Sequence, residues 1–485
     1  MGVLSIILAL PAVAGMLIAL APSSSLRLAQ AIALVASLAA MLLSWSLLAS
    51  FDTTQAGLQF AESTPWVPEI GVDYSIGVDG LSLPMVLLTT LLTFVAVLAS
   101  IGPMRASSKA YFSWFMLMES AVLGVFLAQD WFLFYVFWEL ALVPMFFLIG
   151  IWGDEKRGVA SMSFFLYTLA GSVLMLVGMM AAYLATPDHT FDMAKLAQAH
   201  GAWSKDFQML VFAAFFIGMA VKVPSVPLHG WLPLAHVQAP VPVSMMLSGV
   251  LLKMGAYGLF RVLDMVPQGA EAFLPWLFVL GLISIVYGAF MAWRQDDLKS
   301  MVAYSSISHM GFVLVGIASF NATGLSGAMM QMFTHGVVTA ALFMLVGVVY
   351  THTHSRRLSE LIGVGRGAPR YTVVMSITLL AAMGLPGLAG FVSEFNVLVG
   401  GYERWGLWVA IVGLGILVTS AYCLRVFGQF FVAPSGERAS AMRDLDTREM
   451  VALLPLLALM IVLGLFPGSL IDLSSQAISQ LAIFR

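Results

Sequence analysis

The chain contains one cysteine, Cys423, which excludes an intrachain disulfide, a cysteine-based zinc site and a self-contained iron–sulfur cluster. Charge is also scarce: Asp, Glu, Lys and Arg make up 10% of the residues, against about 25% in soluble domains. No stretch is long and polar enough for a soluble domain. The longest segments outside apolar runs, residues 50–81, 187–206, 351–369 and 433–449, each read as a loop. From Phe51 to Gly80 there are acids but no Lys or Arg. No basic region precedes the first apolar run, so that run reads as a retained span rather than a cleaved signal. The net charge of −3 says little, since almost all charge sits in short loops; the expected surroundings are a lipid bilayer, with no nucleic-acid partner.

What remains is 60% hydrophobic and arranged in runs of about 20 residues, the length that crosses a bilayer as a helix. The runs are continuous rather than alternating, which excludes a barrel. Fourteen spans are expected, near residues 3–21, 27–49, 82–101, 110–128, 131–151, 160–186, 207–236, 243–264, 272–293, 298–319, 323–350, 370–402, 406–432 and 450–472. Of the 22 Lys and Arg, Lys222 and Lys253 lie inside spans. With the N-terminus outside, fifteen of the others, Arg105 among them, fall on the cytoplasmic side and five (Lys195, Lys205, Arg261, Arg404 and Arg485) on the outer side. The positive-inside rule therefore predicts a multi-pass protein of a bacterial inner membrane with both termini periplasmic.

Five ionisable groups, Glu119, Glu139, Lys222, Lys253 and Glu394, sit within these spans. A charge at mid-bilayer costs roughly 2.5–3.5 kcal/mol on the lenient insertion scale, so such groups face one another or a polar cavity and mark ion pathways. The seventh span is broken by Pro224 and Pro227 beside Lys222, and the twelfth by Pro386, Gly387 and Gly390 ahead of Glu394. Five helices separate the two, so they run in opposite directions. The fold class predicted is all-α integral membrane, with two inverted five-helix repeats that each hold a discontinuous helix. Its parts are an N-terminal three-helix segment with an outer loop (1–109), a first repeat (110–264), a second, inverted repeat (272–432), and a loop with a C-terminal helix (433–485).

At the seventh span the prolines cannot donate backbone hydrogen bonds, so the freed carbonyls need side chains or water. Glu139, nine residues into the fifth span, matches Lys222 in depth, and a buried lysine whose acid can approach or withdraw is a proton switch. The alternative is a static ion pair locking two helices. Lys253, in MLSGVLLKMGAYG (246–258), has no sequence-local partner and is placed to carry a proton onward. Glu394, after the break in MGLPGLAGFVSEF (383–395), suits the end of a pathway, or else a helix cap. Glu119 would tune the site, pair with another subunit or serve packing. His229, His236, His309 and His335 lie in or beside spans and titrate near neutrality, which suits auxiliary relay roles as much as structural hydrogen bonding. His352 and His354 lack a nearby acid or Cys, so no metal site is expected. Asp296, Asp297 and Lys299 read as a solvated loop whose acids cap the tenth helix. GVGRGAP (363–369) has no preceding strand and is no nucleotide loop.

Five segments together resemble one family, the antiporter-like proton-pumping subunits of respiratory NADH:quinone oxidoreductase, complex I. They are FYVFWELALVPMFFLIG (134–150), AVKVPSVPLHGWLPLAHVQAP (220–240), MLSGVLLKMGAYG (246–258), LKSMVAYSSISHMGF (298–312) and MGLPGLAGFVSEF (383–395). The resemblance implies a coupled pair at Glu139 and Lys222, a central proton carrier at Lys253 and a terminal glutamate at Glu394. It implies no cofactor in this chain, and NADH, FMN, iron–sulfur clusters and quinone in partner subunits. Neighbouring antiporter-like subunits of the membrane arm are the expected contacts. Two departures stand out: Leu234 where many relatives have Asp, and Val241 to Val243 where Thr-Ala-Gly is common. Both bear on the proton's input route. The rival readings are a subunit of a multisubunit sodium/proton antiporter or membrane-bound hydrogenase, a stand-alone solute transporter, which would need groups placed to bind substrate, and an inert structural subunit.

Overall fold

The computed structural model describes residues 2–22, 25–55, 57–101 and 108–484, so Arg105 and Arg485, counted in the charge balance, lie outside the described residues. In chain order the helices are α1 (Val3–Leu20), α2 (Leu26–Ser46), α3 (Ser82–Ser100), α4 (Lys109–Leu127), α5 (Trp131–Leu140), α6 (Leu142–Trp152), α7 (Arg157–Ala185), α8 (Met193–Ala199), α9 (Lys205–Lys222) and α10 (Trp231–Gln238). There follow α11 (Val241–Met246), α12 (Leu252–Met265), α13 (Pro267–Arg294), α14 (Leu298–Ala318), α15 (Ala322–Thr353), α16 (Pro369–Ala382), α17 (Ala389–Trp405), α18 (Ala410–Phe427), α19 (Thr447–Leu465) and α20 (Gly468–Ser479). Among the described residues, twelve helical stretches are long and apolar enough to cross a membrane, with α17 and α18 counted as one. Besides the short α8 and α20, the helices outside that set belong to the two interrupted spans. One is α9, with Lys205, Asp206 and Lys222 in its sequence, followed by the short α10; the other is α16, of 14 residues.

Both interruptions satisfy their own backbone. After Lys222 the Ala220 carbonyl accepts from the Ser225 N–H (2.9 Å), and the Val221 carbonyl accepts from the Trp231 indole (2.9 Å). The freed carbonyls thus find side chains and loop amides, as an apolar surrounding demands. Gly384 and Gly387 hold positive φ in the second break, which ends where Leu388 precedes α17. A milder interruption at Ala141 divides the fifth span into α5 and α6, two residues past Glu139.

The interior is built around α15, which lies between α14 and α17 and is wholly buried over its apolar window, as is the α11–α12 stretch. Helices α1 and α2 are the most peripheral near the N-terminus; α1 packs on α4. Lys109 closes the far end of α1 by donating to the Ala19 and Ala21 carbonyls, a cation at the negative end of the helix dipole.

Three expectations need correction. Residues 50–81 are not a plain loop. They hold an antiparallel hairpin of β1 (Gln59–Val67) and β2 (Val72–Val78), with Gly71 left-handed at the turn. The hairpin folds because β2 can bury Val72, Ile76 and Val78 on the bundle, while Glu62 on β1 accepts from the Gly2, Leu4 and Ser5 amides at the start of α1. Second, 187–206 contains α8, and the last span ends at Leu465, short of the expected 472, where Pro467 starts α20 along α15. Third, Lys299 is not solvated. Asp297 does cap α14, accepting from the Ser300 N–H (2.8 Å), but Asp296 accepts instead from Ser359, and Lys299 turns inward.

Candidate functional site

Four elements supply a row of buried groups that starts at Lys253. A π-helical turn, Leu247–Leu251, joins α11 to α12 and ends beside the lysine. Such turns loosen the backbone ladder, and the Ser248 carbonyl accepts from Lys253 Nζ at 2.5 Å. The ammonium also donates to His335 Nδ1 at 2.6 Å, so the partner that the local sequence did not reveal comes from α15, 82 residues on. The His335 ring lies 5.5 Å from that of His309 on α14, centroid to centroid. His309 Nδ1 in turn is 3.3 Å from Glu394 Oε1 on α17. Lys253, His335, His309 and Glu394 are all buried, and they form a row through the interior.

Helix geometry explains how α15 holds this row. Gln331, Thr334, His335 and Val338 recur at helical spacing on one face, and that face lines a cavity of about 10 Å³ with His309, Ala381, Gly390 and Glu394. That is room for about one water. Gln331 Nε2 is 3.4 Å from His309 Nδ1, and the Gln331 carbonyl oxygen accepts from the Ser393 hydroxyl. With Nδ1 of His335 accepting from Lys253, the neutral ring carries its proton on Nε2. The imidazole can therefore take a proton on one nitrogen and release one from the other.

Glu394 sits where it does because of the broken helix. Gly384 has φ +73°, and a Cβ there would meet Glu394 Oε2 at 2.8 Å. Glycine is thus required twice, for the turn and for the carboxylate. Gly384→Ala is expected to cost about 1 kcal/mol or more in stability and to push Glu394 off His309. Thermal unfolding of the detergent-solubilised protein checks the first effect and proton transfer the second; unchanged values for both would show that the break does not position Glu394.

Lys222 and Glu139 are not joined as expected. No ion pair links them among the described residues. Instead Lys222 Nζ stands over the Trp138 ring, 4.0 Å from its centroid, with no hydrogen-bond partner. Glu139 is half-buried, next to Trp138 in sequence and beside Tyr135, and its charge still reaches Lys222 through space. The tryptophan holds the cation by its π face. Sequence reasoning passed over Trp138, because an aromatic in an apolar span carries no distinguishing signal.

The remaining groups divide. His236 on α10 is fully buried, stacked on Phe343 (4.7 Å), and neither ring nitrogen has a hydrogen-bond partner. It is within electrostatic reach of both Lys299 and Lys253. His229 is half-buried, with Nε2 3.3 Å from the Tyr287 hydroxyl, and sits apart from the row. Glu119 is fully buried within this chain, next to Thr93, with neither oxygen hydrogen-bonded. That position offers no surface for direct pairing with another subunit, one of the three roles expected for it, and leaves tuning and packing.

A membrane bundle with two interrupted spans around a buried Lys/His/Glu row has the architecture of an ion-translocating, antiporter-like subunit. Residues 128–421, which contain every group of the row, match the family described as NADH:quinone oxidoreductase/Mrp antiporter, transmembrane, and the chain belongs to that family. Among curated relatives it is similar to NADH-quinone oxidoreductase subunit M of Rhodobacter capsulatus, 40% identical over 99% of this chain and 96% of that one. It is also similar to NAD(P)H-quinone oxidoreductase chain 4 1 of a Picosynechococcus strain, 42% identical over 86% of this chain and 80% of the relative. Among solved structures, a chain of respiratory complex I from Thermus thermophilus aligns over 99% of this chain and 100% of its own, at 29% identity and a TM-score of 0.90. A chain of the Mrp complex from a Dietzia strain, 22% identical with a TM-score of 0.87, covers 99% of both chains and shares the fold.

Proposed function

We propose that this chain is the M-type proton-translocating membrane subunit of an NADH:quinone oxidoreductase. The observation that carries the reading is the buried row from Lys253 through His335 and His309 to Glu394, in which successive groups can each hold and pass a proton. The arginine-rich loops mark the cytoplasmic side of a bacterial inner membrane, and both termini lie in the periplasm. Protons move from the former to the latter. The fourteen-span, inverted-repeat arrangement gives this route its two interrupted helices.

Lys222 and Glu139 form the switch. A lysine beside its acid keeps its proton, and one held only by an aromatic face gives it up more readily to the next acceptor. The geometry over Trp138 corresponds to the withdrawn arrangement. From Lys222 the proton loads Lys253, then His335 and His309, and leaves by Glu394 on α17, whose remaining eleven residues rise about 16 Å toward the outer face. Against about 150 mV each proton costs roughly 3.5 kcal/mol. That energy comes from electron transfer in partner subunits, which hold NADH, FMN, iron–sulfur clusters and quinone, while this chain contributes no redox group. Neighbouring antiporter-like subunits are its contacts in the membrane arm.

Lys222→Ala or Glu139→Ala is expected to lower the number of protons pumped per electron in the assembled complex, with NADH-to-quinone electron transfer still measurable. An unchanged ratio in both variants would refute the switch.

A further inference from the structure

We propose that Lys299 is the entry group through which this chain takes up protons from the cytoplasmic side, passing them through His236 to Lys253. The inference rests on the proton-translocation reading above and adds to it a second route by which Lys253 is loaded, from the cytoplasmic side, beside the transfer from Lys222.

The route begins with a backbone that cannot close on itself. Pro240 and Pro242 lack the N–H groups that would bond the His236 and Gln238 carbonyls at the end of α10. The Ser244 hydroxyl donates to the first (3.1 Å) and the Asp154 N–H to the second (2.9 Å). The two carbonyls interleaved with these, Val237 and Ala239, both accept from Lys299 Nζ, the former at 3.3 Å. A buried lysine in the first turn of α14, where the helix dipole disfavours a cation, is thus held against the negative end of α10.

The acids nearby are engaged elsewhere. Asp154 and Asp297 both pair with Arg356, at 3.0 and 3.1 Å, and Arg356 adds a bond to the Val237 carbonyl. Lys299 forms no ion pair among the described residues. A lysine held by neutral carbonyls has no ion pair to lose when it gives up its proton, whereas Arg356 beside it stays charged and marks the mouth.

One residue before Val237 is His236, buried and, among the described residues, with both ring nitrogens unpartnered, and the Lys253 charge is within its electrostatic reach. An N–H bond of the Lys299 ammonium breaks, and its proton goes to a His236 ring nitrogen directly or through water. The imidazolium then gives a proton to the neutral amine of Lys253. Lys299 is recharged from the cytoplasmic side.

The test compares Lys299→Arg, Lys299→Gln, His236→Gln and Lys253→Met in the assembled complex in native membranes. The readouts are protons pumped per electron and the amount of subunit assembled. Arginine keeps the charge and the carbonyl contacts but does not release a proton near neutral pH. Lys299→Arg should therefore assemble normally and lower the pumping ratio, in the direction of Lys253→Met, with Lys299→Gln and His236→Gln doing likewise. Should Lys299→Gln fail to assemble, Lys299→Arg and His236→Gln decide the matter. If Lys299→Arg pumps at the unmodified ratio while Lys253→Met does not, Lys299 only fastens α10 and the inference is overturned. If Lys253→Met also pumps at the unmodified ratio, the failure lies with the proton-translocation reading itself.

Discussion

Lys253→Met is expected to abolish proton transfer through this chain while leaving the chain folded and assembled. Methionine matches the length of the lysine stem, and an apolar replacement for a buried charge is often neutral or stabilising. The ammonium is the group that links the entry side to the His335–His309–Glu394 row, at 2.6 Å from His335. Without it the row begins at an imidazole with no donor behind it. The measurement is proton pumping per electron in sealed membranes, together with assembly. A companion variant, His335→Gln, keeps a hydrogen-bond partner for Lys253 but cannot shuttle a proton between two ring nitrogens, and it should slow transfer by about 100-fold. If His335→Gln pumped normally, the proton would be passing from Lys253 to Glu394 by water alone.

Cutting the ion pair between Asp79 and Arg261 should produce the largest loss of stability. Asp79, just ahead of α3, receives Arg261 of α12 in a two-pronged contact at 2.6 and 2.9 Å, and also accepts from the Leu81 and Ser82 amides at 3.0 Å. Both side chains are largely buried, and removing one partner of such a pair strands the other, at a cost of about 3–5 kcal/mol. Arg261→Ala and Asp79→Ala should each lower the thermal midpoint of the solubilised protein by that equivalent, and the double variant by less than their sum. Burial alone would raise the Asp79 carboxyl. The adjacent Arg261 charge, the Arg261 hydrogen bonds and the two backbone amides outweigh it and hold the group below its ordinary 3.8. A depressed carboxylate stabilises fully above its unfolded value and loses that contribution as pH falls through the folded one. The pair therefore contributes a constant amount from neutral pH to near 4 and fades in stronger acid. Asp79→Asn should remove this part of the acid sensitivity, and an unaltered acid profile in that variant would show that other carboxylates set it.

Spans, breaks and buried charges were legible because each is a local property. A run of 20 apolar residues, a proline or a lysine among leucines is visible without knowing what lies across the bundle. Glu394 and Lys253 could be singled out in this way. Their partners could not, since His335 is 82 residues from Lys253, and in sequence it looks no different from His229, which ended up beside Tyr287 and away from the row. Lys299 was misread for the same reason. In QDDLKS it looks like one more charge in a polar turn, and only the end of α10, some 60 residues earlier, turns it inward. The hairpin at Gln59–Val67 and Val72–Val78 was missed because its strands are stabilised by the bundle beneath them rather than by their own pattern.

By itself the sequence determined that this is a helical membrane protein, where its helices break and which charges must be buried, because a bilayer penalises every exposed polar group and the penalty is written residue by residue. The tertiary structure decided which of those charges meet. It set Lys253 on His335, withdrew Lys222 from Glu139 onto Trp138 and sealed Glu119 within the chain. Contacts between helices far apart in sequence depend on how ridges and glycine gaps fit together, and no local pattern encodes that fit.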